Sequence, residues 1–77
     1  MKYERIRNLR EDQDLTQAYI GKVLNVTQKS YSRYENGDRA IPIELLSKLA
    51  DFYDTSVDYL INRTNIKTPY PKNRFKI

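Results

Sequence analysis

Seventy-seven residues without a cysteine make one small domain with no disulfide framework and no thiolate metal site, able to close a compact helical core but too short for a deep cleft between lobes. The formal charge is +4, but residues 62–77 carry Arg63, Lys67, Lys72, Arg74 and Lys76 with no acid, whereas residues 1–61 carry nine bases and ten acids. Global charge is therefore no argument for nucleic-acid binding, and only the placement of individual cations can be one.

Glycine and proline are scarce and apolar residues recur at threes and fours, which predicts an all-α fold. No apolar run reaches the length of a membrane span and no apolar core follows the basic start, so a reducing, cytoplasmic setting is expected. In chain order, residues 2–13 read as a first helix with Tyr3, Ile6 and Leu9 inward, stopped at Asp12-Gln13-Asp14. Residues 17–24 are the second helix and 28–36 the third. Pro42 suits the first position of a fourth helix, where its missing N–H is not needed, and that helix runs to about Tyr53 with Ile43, Leu46, Leu49, Ala50 and Tyr53 spaced for the core. Residues 56–62 give a short fifth helix with Val57 and Leu60 inward. From Asn65 onward there is no helical stripe, and Pro69 and Pro71 flank Tyr70, so this stretch is expected to be an extended or disordered arm. The division expected is a domain over 1–61 and a basic tail over 62–77.

The junction Leu24-Asn25-Val26-Thr27 is too short for anything but a sharp turn between two amphipathic helices. Ile20 and Leu24 share one face of the first of them, and Tyr31 and Tyr34 one face of the second. Gly21 would let the second helix approach closely, Asn25 tolerates a left-handed backbone, and Gly37 suits a helix end. Thr16, Thr27 and Ser56 stand at helix starts, where a hydroxyl accepts from first-turn amides, and the pairs Leu15 with Ile20 and Val26 with Tyr31 bracket the first two as hydrophobic staples. Opposite the tyrosines lie Gln28, Lys29, Ser32, Arg33 and Asn36. A row like this is by itself a solvated helix face, but the turn and the doubled staple specify how it is presented. Glutamine pairs with adenine and lysine or arginine with guanine in a major groove, so Gln28, Lys29, Ser32 and Arg33 form a base-reading set. Gln17 at a helix N-terminus, with Asn36 and Arg39 beyond the other end, would meet phosphates.

The segment Leu15 to Gly37, continued by Pro42, Leu49-Ala50 and Ser56-Val57-Asp58-Tyr59-Leu60, resembles the phage-repressor and Cro family of helix-turn-helix proteins, also called the XRE family. The resemblance covers about residues 3 to 61. It implies a five-helix, lambda-repressor-like bundle that binds double-stranded DNA, usually as a dimeric repressor. It places Gln17 at a phosphate-contacting position, Gln28, Lys29 and Arg33 at base-reading ones, and Asn36 and Arg39 at backbone ones; Thr27, at the start of the third helix, is expected to meet a phosphate as well. Arg10 and Glu35 match a pair that forms an ion pair in some relatives, and they are expected to be paired and partly buried here. Two residues depart from the pattern: Asn25 replaces the turn glycine, and Tyr31 replaces an aliphatic side chain. The Tyr31 ring must either fill more of the core or carry its hydroxyl to the surface.

The leading expectation is a sequence-specific transcriptional regulator acting as a homodimer, because one such domain contacts few base pairs. The dimer seam is expected among Phe52, Tyr59 and Ile61 or along the arm with Tyr70, Phe75 and Ile77. The alternative is an antitoxin whose tail binds a protein partner. No catalytic residue, metal site or cofactor is expected: histidine is absent, there is no glycine-rich phosphate loop, and Asp51, Asp54 and Asp58 read as helix-terminus charges.

Overall fold

Every helix among the described residues ends in the same way. The computed structural model describes residues 2–69, so the expectations placed on Tyr70, Pro71, Phe75 and Ile77 lie outside the described residues. Its helices are α1 (Glu4–Asp12), α2 (Gln17–Leu24), α3 (Gln28–Asn36), α4 (Ile43–Phe52) and α5 (Val57–Leu60), with no strand among the described residues. A left-handed residue follows each one: Asp14 (φ 57°), Asn25 (φ 60°), Gly37 (φ 83°), Asp54 (φ 56°) and Asn62 (φ 67°). The amide beyond it reaches five residues back to a carbonyl that the helix leaves unpaired. These bonds run from Leu15 to Arg10 (3.0 Å), Val26 to Gly21 (2.9 Å), Asp38 to Arg33 (2.9 Å), Thr55 to Ala50 (2.8 Å) and Arg63 to Asp58 (2.8 Å). This is the Schellman closure. Asp and Asn serve at four of the five positions because their short polar side chains tolerate this backbone better than other L-residues.

Helix starts are as regular. Thr16, Thr27 and Ser56 have extended backbone, and each hydroxyl accepts from the amide three residues on, at Tyr19, Ser30 and Tyr59, each at 3.0 Å. Pro42 differs from its expected place. With ψ at 149° it is the cap before α4, not the first helical residue. Its carbonyl accepts from Leu45 and Leu46, so proline still ends the preceding connection without wasting a donor.

The core is built from Ile6 and Leu9 of α1, Ile20 and Leu24 of α2, Tyr31 of α3, Leu46, Leu49 and Ala50 of α4, then Tyr53 and Leu60. Each fully buried large side chain contributes about 1.5–3 kcal/mol. Ile43, expected inward, is 60% exposed. It shares the spacing of Leu46, Ala50 and Tyr53 but occupies the first turn of α4, where its side chain is left open to solvent. The α1, α4 and α5 boundaries are each shorter than the periodicity suggested, since terminal turns close as caps.

Past α5 the chain turns back onto the body. Arg5 Nη1 donates to the carbonyls of Tyr59 (2.9 Å) and Thr64 (2.6 Å), and Nη2 donates to Asn65 Oδ1 (2.8 Å). The guanidinium also lies 4.1 Å from the Tyr59 ring centroid. Thr55 Oγ1 donates to the Lys67 carbonyl. The described part of the tail is thus irregular but held at two points.

Candidate nucleic-acid interface

The turn between α2 and α3 sets how α3 is presented. A Cβ built on Gly21 would lie 3.1 Å from the Val26 carbonyl oxygen and 3.4 Å from the Gln28 amide nitrogen, so the start of α3 packs against α2 closely enough that a larger residue would press on the turn's backbone. Asn25 supplies the left-handed corner, and the Val26 amide closes it on Gly21. With Tyr31 fully buried, the opposite face of α3 is forced outward.

That face carries Gln28, Lys29, Ser32, Arg33 and Asn36, which with Gln17 of α2 and Asp38 line one open concavity of about 570 Å³. Gln28, Lys29, Arg33 and Asn36 are exposed, and the Asn36 side-chain amide faces the Ser32 hydroxyl at 3.4 Å. Thr27 and Arg39 are exposed outside this lining. The Thr27 oxygen accepts the cap bond from Ser30, which leaves its hydroxyl hydrogen free to donate. Arg39 follows in the connection, its amide directed at the Arg33 carbonyl at 3.3 Å.

Beneath the concavity lies a buried carboxylate. Glu35 is only 2% exposed, and its two oxygens accept four hydrogen bonds. Oε2 takes Arg10 Nε (2.8 Å) and the Tyr31 hydroxyl (2.6 Å); Oε1 takes Arg10 Nη2 (2.9 Å) and Gln17 Nε2 (3.0 Å). Arg10 Nη1 also donates to the Leu15 carbonyl at 2.8 Å. The group is fully satisfied, the condition under which a buried ion is tolerated. Burial by itself would raise the Glu35 carboxyl, but hydrogen bonds from Arg10, Tyr31 and Gln17 outweigh it and hold the group below its ordinary range. Arg10 is shifted up by its bond to Glu35, against a smaller opposing effect of burial. Tyr31 is raised by burial and then by its bond to Glu35.

The Tyr31 ring therefore fills core, and its hydroxyl finds its partner inside rather than at the surface. Gln17 has a second part that the sequence reading did not assign to it: its Nε2 connects the buried carboxylate to the wall of the concavity. Asp38 was not singled out either, because its place beside the α3 face depends on the turn at Gly37. Tyr53 Oη is buried without a hydrogen-bond partner among the described residues, and burial pushes this phenol up to about 12. Arg10 lowers it and Glu35 raises it by smaller amounts.

Of the seam residues, Phe52 is partly exposed and packs its ring against Tyr19 (centroids 6.2 Å apart) and edge-on against Tyr53 (5.0 Å). Tyr59 and Ile61 are half-buried, the Tyr59 ring beneath Arg5. No helix among the described residues is long and apolar enough to cross a membrane.

Comparison with known proteins agrees with this geometry. The helix-turn-helix family profile HTH_3 matches residues 6–60. The chain is 32% identical over 72 residues to the HTH-type transcriptional regulator AnsR of Bacillus subtilis, covering 94% of this chain and 62% of that protein. It is 34% identical over 64 residues to the cryptic phage CTXphi transcriptional repressor RstR of Vibrio cholerae, covering 80% and 58% respectively. With the antitoxin PezA of Streptococcus pneumoniae it shares 28% over 64 residues, 83% of this chain but 40% of that one. The chain thus spans about three fifths of the length of AnsR and RstR. The capped turn, the five-helix core and the matched span together place this chain in the helix-turn-helix family of the phage-repressor and Cro (XRE) type.

Proposed function

We propose that this chain is a sequence-specific, DNA-binding transcriptional regulator that acts in the cytoplasm as a homodimeric repressor, with α3 lying in the major groove. The observation that carries this reading is the single concavity in which Gln28, Lys29, Ser32 and Arg33 stand together on the outward face of α3. In a major groove Gln28 pairs bidentately with adenine, and Lys29 and Arg33 donate to guanine O6 and N7. Gln17, Thr27, Asn36 and Arg39 contact flanking phosphates, positioning the helix without selecting sequence. The likeness to regulators and to a phage repressor supports this choice. A dimer on a two-fold related operator would place its half-sites about one helical turn apart.

Selection of bound sequences from a random duplex pool tests the reading. A palindromic motif with that spacing is the expected result. A pool that shows no enrichment after repeated rounds would overturn it. The likeness to an antitoxin favours a second reading, in which the same domain binds its promoter and the tail binds a protein partner. Co-purification of a stoichiometric partner would support that reading.

A further inference from the structure

The concavity contains one group of the wrong sign. Its other lining residues, Gln17, Gln28, Lys29, Ser32, Arg33 and Asn36, offer amide, hydroxyl or cationic donors, whereas Asp38 presents an acceptor-only anion. The residue is exposed, and among the described residues no ion pair or side-chain hydrogen bond engages it. Local structure does not call for it. Asp38 follows the Gly37 cap at the C-terminal end of α3, where unpaired carbonyls make a negative pole that disfavours an acid. Its one structural contribution is the amide bond to the Arg33 carbonyl, which any residue but proline would supply. A residue that breaks a local rule without local gain points to a functional reason.

Asp38 stands between Asn36 and Arg39, the residues proposed to meet phosphates, so the strand that those residues grip would run past its carboxylate. Against Lys29 and Arg33, the two cations of the lining, it cancels one of two positive charges. Backbone attraction acts on every duplex alike and supplies most of nonspecific binding. We propose that Asp38 is an electrostatic brake on the DNA interface: its carboxylate opposes the phosphate backbone, so that complexes held by backbone contacts alone dissociate while those with base contacts persist. This inference rests on the DNA-binding reading above.

The test is Asp38→Asn, which keeps shape and amide and removes the charge, with Asp38→Glu as the charge-retaining control. Affinity is measured for the selected operator and for a random duplex over a range of salt. A unit charge about 5 Å from a phosphate across water is worth about two- to fourfold in affinity per protomer at physiological ionic strength. Asp38→Asn should tighten both duplexes by that factor, steepen the salt slope by up to about one unit and leave base preference unchanged. Asp38→Glu should bind within about twofold of the parent. Unchanged affinity in Asp38→Asn would overturn the proposal. So would loss of preference at a single base pair, because the carboxylate would then be reading a base amino group. The parent protein is measured first: if it binds no duplex, the DNA reading itself fails, a result distinct from a parent that binds and a variant that does not tighten.

Discussion

Replacing Arg10 by methionine should come close to unfolding this domain. The change keeps an apolar stem of similar length but removes three hydrogen bonds, two of them to Glu35 and one to the Leu15 carbonyl. Glu35 would then be a buried carboxylate with only Tyr31 and Gln17 as donors. Breaking a buried pair from one side costs about 3–5 kcal/mol. A domain of this size has about 4–12 kcal/mol in total. Urea denaturation followed by circular dichroism would measure the loss, and the double variant Arg10→Met with Glu35→Leu should recover most of it by removing the stranded charge. The pH dependence should reverse as well. In the parent, the Glu35 carboxyl is depressed on folding, so its contribution is full above the unfolded value of about 4.3 and is lost as pH falls through the folded value. In Arg10→Met burial dominates and raises the carboxyl above its unfolded value. That variant should therefore gain stability as pH is lowered from neutrality towards 4. An Arg10→Met protein within about 1 kcal/mol of the parent, or one with the parent's pH trend, would refute a buried pair that holds α1 to α3.

The two buried phenols should respond differently to loss of their hydroxyls. Tyr31→Phe removes a bond to a charged group and should cost about 1.5–3 kcal/mol, whereas Tyr53→Phe removes an unpartnered hydroxyl and should be neutral or stabilising in the same denaturation assay. Both phenols are raised on folding, so their contribution is full below about 10 and is lost as pH rises towards and beyond 12; ultraviolet titration should show both ionising late, together with unfolding. Gly21→Ala should destabilise by about 1 kcal/mol despite its better helix propensity, because the backbone atoms facing the new Cβ belong to the turn; a melt above the parent's would show that the turn can yield. Asp54→Gly relaxes a left-handed backbone and should stabilise by about 0.5–1 kcal/mol, with no change in DNA affinity. Arg33→Ala should flatten sequence preference at one position, whereas Arg39→Ala should weaken all duplexes alike and lower the salt slope by about one unit; equal losses on every duplex for both would remove the distinction.

Much of the helix scaffold was legible because its signals are local. Thr16, Thr27 and Ser56 cap the helices that they precede, and Asn25 and Gly37 take the left-handed positions that their residue types suggest. The same closure at Asp14, Asp54 and Asn62 was open to the same reasoning, since Asp and Asn share that tolerance, but an acid or amide after a helix reads equally well as a plain polar break. Ile43 was misplaced because spacing fixes the face of a helix but not how far along it the packed core extends, and this residue sits in the first turn of α4.

From sequence alone come the five helices, the sharp corner between the second and third, and the identity of the side chains on the outer face of the third, all set by interactions within a few residues. Tertiary structure decided what depends on residues far apart in the chain. It brought Arg10, Gln17, Tyr31 and Glu35 around one buried charge, because only the packing of α1 and α2 against α3 makes a site dry enough to require four donors. It also carried Thr64 and Asn65 back to Arg5, and set Asp38 beside Arg33 on a surface whose shape no single helix contains.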